Sequence, residues 1–335
     1  MKTAAIYNRT WDSLGGGERY SAAVAKLLED AGYVVHIWWP EDLDTQIFDR
    51  FGIELKTSQF LPLPKGHFLG FDLLFWVSDG SIPISLARKT LIHFQIPFTQ
   101  VPLADKLKAR FYPAICNSYF TKSVIDQVYG VDAQVIYPPV KTADFNPGKK
   151  ENLIVAVGRL SRQLHAKHQE ILIEAMYQLR PILPDWKLVI AGGSTDFNYY
   201  KELLDLSRGL PIKILVNPKF SQIQDLFARA KLFWSATGFG EDPDLTPERI
   251  EHFGITPVEA MAAGVVPIVT GLGGHRETIE EGKSGLLWLR LDELVAQTVE
   301  MARNYRKWGI MSKKAQKRSK MFSEEVFTHN FSKLL

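Results

Sequence analysis

Short apolar runs alternate with helix-like segments along almost the whole chain, and this alternation limits the possible folds more than any other feature. The first run covers 3–8, a helical pattern follows over 18–31, and 34–39 is rich in β-branched and aromatic residues. Continuous apolar strands separated by helices are typical of parallel sheets that helices cover on both faces. The alternation therefore predicts a doubly wound α/β fold.

A proline pair and a polar stretch divide this pattern into two similar halves. Pro138-Pro139 closes the first half, and the polar segment 146–151 precedes a new apolar run. The predicted strands are 73–77, 90–94, 114–116 and 134–137 before the break and 153–157, 187–191, 212–216, 231–234 and 265–269 after it; the predicted helices are 120–129, 168–179, 197–207, 221–229 and 257–263. We therefore predict two Rossmann-like domains, 1–140 and 141–317. A helical end follows, for which a return of about residues 318–335 to the first domain stays open.

Length and composition agree with two globular domains. The chain has 335 residues, with 46% hydrophobic and 23% charged, which excludes disordered and fibrous classes. The net charge is only +3 and the basic residues are mostly interleaved with acids, so nucleic-acid binding is not expected. One exception is 303–320, which carries eight cations and no acid: Arg303, Arg306, Lys307, Lys313, Lys314, Lys317, Arg318 and Lys320. This segment is either a solvated helix face or a surface that docks onto an anionic membrane.

The single cysteine and the N-terminus indicate a reducing compartment. Cys116 has no second cysteine to pair with, and residues 1–4 lead into a strand without a signal-peptide pattern. No apolar run approaches the roughly 18 residues that span a bilayer. We expect a cytoplasmic protein whose membrane contact, if any, is peripheral at the inner face. The sequence leaves the oligomeric state open.

Ligands of open parallel sheets bind beyond the carboxyl ends of the strands, so the loops there hold the candidate residues. Gly15-Gly16-Gly17 follows the first strand and precedes a helix, where backbone amides can approach a phosphate closely. A flexible turn explains these glycines equally well. Glu18 is interpreted as an acid compatible with the helix dipole.

A second candidate loop follows the strand that opens the second half. Arg159 comes directly after Gly158, and Lys167 lies at the start of the next helix. Two cations after a strand end can bracket a diphosphate through charge-assisted hydrogen bonds. Two solvated surface cations are the alternative.

The segment 251–264 is the most informative part of the sequence. Thr256 is predicted as an N-cap, Pro257 as the first helical residue, and Glu259 as the partner in a capping box. This capping explains Glu259 but not Glu251, which precedes the helix together with the amides of 254 and 255. Carboxylates accept hydrogen bonds from paired hydroxyls. Glu259 can therefore bind a ribose and Glu251 a sugar ring, with the phosphates between them at the helix start.

The stretch EHFGITPVEAMAAGVVPIV, with two glutamates separated by seven residues, resembles the signature of the family 4 retaining glycosyltransferases of GT-B fold, also called glycosyltransferase group 1. Further resemblance covers nearly the whole chain, including GGGERYSAAVAKLLEDAGYVV, AICNSYFTKSVI, VIYPPV, AVGRLSRQLHAKHQEILIEA and GGHRETIEEGKSGLLW. The spacer 162–166 is longer than is usual in that family, and the first domain is compact between 39 and 71.

The resemblance implies roles for individual residues. Arg159 and Lys167 would clamp the donor diphosphate, Glu259 would bind the ribose, and Glu251 would contact the transferred sugar. The remaining donor-site residues would be Gly15, Gly16, Phe253, Gly254 and Ile255, with His93 beside the sugar and Pro218, Lys219 and Phe220 flanking the base. Taken alone, His93 is more typical of a structural hydrogen-bonding residue, and 218–220 of an ordinary turn.

The implied activity is transfer of a hexose, with retention and without metal or other cofactor, from GDP-mannose or a UDP-sugar to a glycan or lipid-linked acceptor. The basic segment together with Phe68, Leu69 and Phe71 is compatible with a lipid-linked or a growing polysaccharide acceptor, although scattered apolar residues are common on protein surfaces. Two alternatives stay open: a nucleotide-sugar epimerase or glycosyl phosphorylase on the same scaffold, and a non-catalytic nucleotide-sugar-binding protein.

Overall fold

The computed structural model describes residues 2–63, 70–162, 166–194 and 196–335. Phe68, Leu69 and the spacer residues 163–165, which entered the predictions above, lie outside these ranges. The chain forms two compact units: Met1–Pro139 with Glu325–Leu335, and Val140–Glu324. The last eleven residues therefore pack with the first unit, whereas 318–324 belong to the second.

The first unit is built on a parallel sheet with strand order β3-β2-β1-β4-β5-β6-β7 among the described residues. Its strands are β1 (Lys2–Tyr7), β2 (Tyr33–Trp38), β3 (Gln59–Leu61), β4 (Leu73–Val77), β5 (Lys89–Phe94), β6 (Ala114–Cys116) and β7 (Gln134–Val135). Its helices are α1 (Gly16–Asp30), α2 (Asp44–Phe51), α3 (Leu103–Ala109), α4 (Tyr119–Tyr129) and, from the end of the chain, α12 (Glu324–Ser332). All five residues of β4 are buried, as expected for a central strand covered on both faces.

The second unit repeats this arrangement with strand order β10-β9-β8-β11-β12-β13, again parallel throughout the described residues. Its strands are β8 (Glu151–Val157), β9 (Lys187–Gly192), β10 (Ile212–Val216), β11 (Ala230–Ser235), β12 (Val266–Thr270) and β13 (Leu286–Trp288). Its helices are α5 (Gln169–Leu179), α6 (Phe197–Leu206), α7 (Phe220–Arg229), α8 (Ile255–Ala262), α9 (His275–Thr278), α10 (Leu291–Arg303) and α11 (Tyr305–Ser319). Short 3₁₀ turns occur at Trp11–Ser13, Thr142–Asp144, Pro247–Arg249 and Lys320–Phe322.

Two features fix the ends of the elements that carry candidate residues. Helix α1 stops before Gly32, whose φ of 81° is accessible to glycine without strain. Every neighbouring pair of strands is parallel, so all strands of one sheet end at one edge. This holds for β1 and β4 in the first sheet and for β8 in the second. The predicted doubly wound α/β fold is confirmed, and its loops after the strands are where the candidate residues lie.

The C-terminal helix completes the core of the first unit. Phe327 and Phe331 are buried in the cluster that contains Phe75 and Tyr20. The ring of Phe331 lies 5.8 Å from that of Phe75, and the ring of Phe327 lies 5.1 Å from that of Tyr20, centroid to centroid. Edge-to-face packing of this kind adds to the free energy gained by burial.

We predict that Phe331→Ala lowers the free energy of unfolding of the first unit by about 3 to 5 kcal/mol, because it leaves a cavity against Phe75. Urea unfolding followed by tryptophan fluorescence measures this change. Thr328→Ala, on the exposed side of the same helix, is the control and should unfold nearly as the unchanged protein does. Equal losses in the two variants would contradict a core role for α12.

Candidate functional site

The loops after β8 and β9 approach each other so closely that only glycine fits between them. The amide of Gly158 donates to the carbonyl of Ala191 at 3.0 Å. A Cβ atom built on Gly192 would lie 1.8 Å from the carbonyl oxygen of Gly158. Any side chain at 192 would therefore displace the turn that presents Arg159.

The side chain of Arg159 is exposed, whereas its backbone is held by a hydrogen bond. Its carbonyl accepts a hydrogen bond from Nε2 of Gln169 at 2.9 Å. Gln169 is only 2% exposed. Its backbone N–H donates to the Tyr199 hydroxyl at 3.1 Å, and that hydroxyl donates to Oε1 of Gln169 at 2.8 Å. The guanidinium has no ion-pair partner among the residues that the structure describes. The backbone of Arg159 is thus fixed, and the charge of its side chain is available to an anion.

Glu170 anchors the other side of this network. Burial opposes ionisation of its carboxyl, but hydrogen bonds from His168 and Tyr199 outweigh burial and lower the pKa of Glu170 to about 2. His168 itself has a φ of 48°, an unusual backbone conformation for a residue other than glycine. Gln169, Glu170 and Tyr199 were not predicted as functional, because their role depends on contacts between α5 and α6.

Lys167 and Glu251 form an ion pair, with 2.8 Å between Nζ and Oε2. Their side chains are 23% and 19% exposed, so water reaches them but does not surround them. Burial alone would raise the pKa of Glu251, yet the charge of Lys167 and its hydrogen bond hold that pKa well below the ordinary range. The pair is therefore charged at neutral pH and joins two predicted site residues 84 positions apart.

His275 lies fully buried beside this pair. Its Nδ1 faces the carbonyl oxygen of Thr270 at 3.0 Å and Oγ1 of Thr270 at 3.1 Å. The Thr270 hydroxyl donates to Thr237, so both atoms accept from His275, and Nδ1 must carry the proton. Burial lowers the pKa of His275 to about 4, which keeps the ring neutral. Nε2 then holds a lone pair and has no hydrogen-bond partner within the described ranges.

Gly254 separates His275 from Glu251. Its φ is 94°, and a Cβ atom there would lie 3.2 Å from the His275 ring and 3.6 Å from Cγ of Glu251. The carbonyl of Glu251 accepts from the amide of Gly274 at 2.7 Å. A glycine is thus required for the loop to turn into α8 while both side chains stay close.

The start of α8 differs from the prediction. The helix begins at Ile255 with Gly254 as N-cap, so Thr256 is not the N-cap and Pro257 is the third helical residue. The hydroxyl of Thr256 instead donates to the carbonyl of Val157, 3.3 Å away, at the end of β8. The Thr256 hydroxyl therefore bonds to the end of a strand and does not cap its own helix. Glu259 is buried within α8, with 6% of its surface exposed.

The remaining predicted residues of the second unit fall in two groups. Phe253 is 3% exposed, and its ring packs edge-on against Phe322 at 5.4 Å, so only its backbone can face a ligand. Pro218, Lys219 and Phe220 follow β10, where Lys219 caps α7. The Phe220 ring is 38% exposed and packs against Phe145. This group lies at the same sheet edge as Arg159, two strands away.

In the first unit, the glycine loop is shaped by a buried carboxylate. Gly15 is the N-cap of α1, which starts at Gly16. The carboxylate of Glu18 accepts from the amide of Gly15 at 2.8 Å and from hydroxyls of Thr10 and Ser13 at 2.8 and 2.7 Å. The acid interpreted from sequence as compatible with the helix dipole is thus also the residue that holds the loop.

Gln95 lies against this loop, which the sequence did not indicate. A Cβ atom on Gly17 would lie 2.3 Å from Oε1 of Gln95, and Nε2 of Gln95 donates to the carbonyl of Gly17 at 3.3 Å. The side chain follows β5, the strand that carries His93. The side-chain amide of Gln95, just after β5, therefore contacts the glycine loop.

His93 is fully buried in the first unit. Its ring stacks on Tyr20 at 3.9 Å and on Phe75 at 5.5 Å between centroids. Burial lowers its pKa to about 3, against a smaller opposing contribution from the backbone of Ile115. The ring is thus neutral and packed between aromatic rings, and its predicted contact with a sugar stays a prediction.

Two broader properties concern the described residues as a whole. Within 2–63, 70–162, 166–194 and 196–335, no group of three His, Cys, Asp or Glu side chains lies close enough to hold a metal ion. Over the same ranges, no helix is both long and apolar enough to cross a bilayer.

We predict that Lys167→Met and Glu251→Gln each destabilise the protein, since either change leaves a poorly solvated charge without its partner. A double-mutant cycle by urea unfolding at pH 7 should give a coupling free energy of about 1 to 3 kcal/mol. Because the folded pKa of Glu251 is lowered, this coupling is complete above the unfolded value of 4.5 and declines as the pH falls below it. The exposed pair Arg290–Asp292 serves as control and should show no measurable coupling; equal coupling in both pairs would contradict the analysis.

Comparisons with known proteins identify the family of this chain. Residues 140–315 match the family model described as glycosyl transferases group 1. The chain is 30% identical over 181 residues to the lipopolysaccharide core biosynthesis mannosyltransferase LpsB of Rhizobium meliloti, which covers 50% of this chain and 47% of LpsB. It is 26% identical over 355 residues to the human alpha-1,3/1,6-mannosyltransferase ALG2, which covers 82% and 81%. The chain thus spans less than half the length of LpsB and of other curated relatives that it matches.

Solved structures show the same fold over the whole chain. Anabaena HepE, crystallised with UDP and glucose, superposes with a TM-score of 0.76 at 18% identity and covers 100% of this chain and 99% of its own. The sucrose-phosphate synthase of Thermosynechococcus elongatus gives 0.76 at 16% identity, with 100% and 98% covered. The predicted GT-B fold is confirmed. Since the family model spans more than half of the sequence, the chain belongs to the group 1 glycosyl transferases.

Proposed function

We propose that this protein transfers a hexose from a nucleoside-diphosphate sugar to a glycan or lipid-linked acceptor, with retention of anomeric configuration and without a metal ion. The observation that carries the proposal is the Lys167–Glu251 ion pair next to the loop of Arg159. The carboxylate of Glu251 can bind sugar hydroxyls, and the cations of Lys167 and Arg159 can bind phosphate oxygens. The family membership and the mannosyltransferase relatives support this activity.

Departure of the diphosphate is the step that these cations would assist. The bond between the anomeric carbon and the diphosphate oxygen breaks, the oxygen keeps the electron pair, and the acceptor hydroxyl forms the new bond and gives up its proton to a phosphate oxygen. Arg159 can hold two phosphate oxygens at once, and Lys167 adds a second positive charge. Stabilisation of the developing charge by fixed groups is often the largest catalytic contribution.

Glu251 and its neighbours would orient the transferred sugar. Glu251 stays ionised because of Lys167 and can accept from sugar hydroxyls, and the amides of Gly254 and Ile255 open α8 at the same place. These groups would hold the sugar while Arg159 and Lys167 hold the phosphates.

The other predicted residues have roles at the edges of this site. Glu259 would bind the ribose, and Pro218, Lys219 and Phe220 would flank the base. In the first unit, Gly15 and Gly16 would approach the donor phosphate and His93 the sugar, with acceptor recognition assigned to the same unit. The relatives are mannosyltransferases and HepE was crystallised with UDP, so GDP-mannose and UDP-sugars are both candidate donors. We propose a cytoplasmic location, with any membrane contact peripheral at the inner face.

We predict that Arg159→Ala lowers kcat about 100- to 1000-fold while the protein stays folded, because the guanidinium is exposed and contributes to charge stabilisation. The assay measures release of nucleoside diphosphate and formation of a new glycoside. Arg162→Ala is the matched control, since Arg162 lies three residues away and pairs with Glu202. Normal turnover by Arg159→Ala, or release of sugar phosphate or an isomerised donor by the unchanged enzyme, would refute the proposal.

We further predict that turnover persists in excess EDTA, because Arg159 and Lys167 supply the positive charge at the diphosphate. Proton NMR of the product formed in the chelator should show the donor's anomeric configuration. Loss of activity that Mg²⁺ or Mn²⁺ restores would contradict metal independence, and an inverted product would contradict retention.

A further inference from the structure

Helix α3 exposes large apolar side chains on one side. Leu103 is 71% exposed, Leu107 is 50% exposed, and Phe111, in the turn that follows the helix, is 80% exposed. A spacing of four residues places them in one stripe along the helix. Asp105 and Ala109 on the other side are buried, so α3 is packed firmly and its outward residues are apolar.

The loop 81–88 extends this stripe. Ile84 and Leu86 are 59% and 55% exposed. The loop is tied to α3 and its end, because the amide of Ile82 donates to Asp105 at 2.9 Å and the amide of Ser85 donates to the Tyr112 hydroxyl at 3.1 Å. The two segments therefore form one continuous surface. We call it the α3 face, and it consists of Ile84, Leu86, Leu103, Leu107 and Phe111.

The surroundings of the α3 face are positively charged. Between 81 and 112 the chain carries five cations and one acid: Arg88, Lys89, Lys106, Lys108 and Arg110, against Asp105. Of these cations, Arg88 is compensated by Asp72, 3.0 Å away. The carboxylate of Asp105 is turned inward, where it accepts from Ile82 and pairs with Lys108. Lys106 and Arg110 have no ion-pair partner in the described part of the chain, so their charges are available.

An anionic lipid surface fits this combination better than water or a protein partner does. Single exposed apolar residues are normal, but five on one fixed surface are not. An interfacial helix needs an apolar stripe that enters the acyl boundary and cations that meet lipid phosphates. By contrast, the large exposed apolar residues of α11 and of the turn after it, Tyr305, Ile310 and Met321, are five and eleven residues apart. Lys313, Lys314 and Lys317 are exposed between the last two without an apolar residue on each turn, so solvation explains that face better.

We propose that the α3 face docks the first unit onto an anionic lipid surface. Leu103, Leu107 and Phe111 enter the headgroup and acyl boundary, while Lys106 and Arg110 contact lipid phosphates. The proposal concerns a surface and does not depend on the donor or on transfer. It would bring the first unit close to a lipid-linked acceptor.

The test is cosedimentation of the full chain with phosphatidylcholine vesicles that contain or lack phosphatidylglycerol, without any sugar. We expect binding only to the anionic vesicles, weakening as salt is raised. Leu103→Ser, Leu107→Ser and Phe111→Ser combined should lower vesicle affinity at least tenfold. A matched triple variant of equally exposed residues in the second unit (Tyr177→Ser, Phe197→Ser and Leu245→Ser) should bind as the unchanged chain does.

Charge variants separate the α3 face from the basic helix α11. Lys106→Glu with Arg110→Glu should lower affinity for anionic vesicles about tenfold or more, whereas reversing Lys313, Lys314 and Lys317 should have a smaller effect. Thermal unfolding should be nearly unchanged in every variant, since Lys106 is partly exposed and the other substituted residues are exposed. The proposal is overturned if no vesicle binds, if only the α11 variant loses binding, or if the triple α3 variant instead dissociates a protein oligomer that forms without lipid.

Discussion

The parallel pairing of every described strand is the constraint on which the rest of this structure depends. A parallel neighbour can be reached only by crossing a face of the sheet, so each strand is followed by a loop and, in most cases, a helix. All strands of one sheet then end at one edge, and residues far apart in sequence meet there. Arg159 after β8, Glu251 after β11 and His275 after β12 are brought to the same edge in this way.

Buried or partly buried carboxylates give these loops their shape. Glu18 binds the amide of Gly15 and two hydroxyls, and Glu170 is held by His168 and Tyr199 below the Arg159 loop. Glu251 is charged because Lys167 compensates its burial. In each case a charge that would be costly alone is stabilised by fixed donors, and those donors in turn fix a loop. The same property would suit the proposed binding of a charged diphosphate.

Much of the fold was predictable because long apolar runs in parallel sheets have few alternatives. The strands β4, β8 and β12 were predicted to within one or two residues. β3 and β13 were missed, although β6, which is equally short, was predicted. The start of α8 was wrong because Thr256 bonds to Val157 rather than to its own helix. Gln95, Gln169 and His275 were not identified, since each acts through a contact with a distant element.

The sequence by itself determined the alternation of strands and helices, the break into two halves, the family resemblance and the chemical types of the candidate residues, because these depend on local pattern. Only the tertiary structure decided which groups meet. It paired Lys167 with Glu251, buried His93 between aromatic rings, and left the α3 face exposed. The physical reason is that ion pairs, burial and exposure depend on distances across the fold, which no local window of sequence contains.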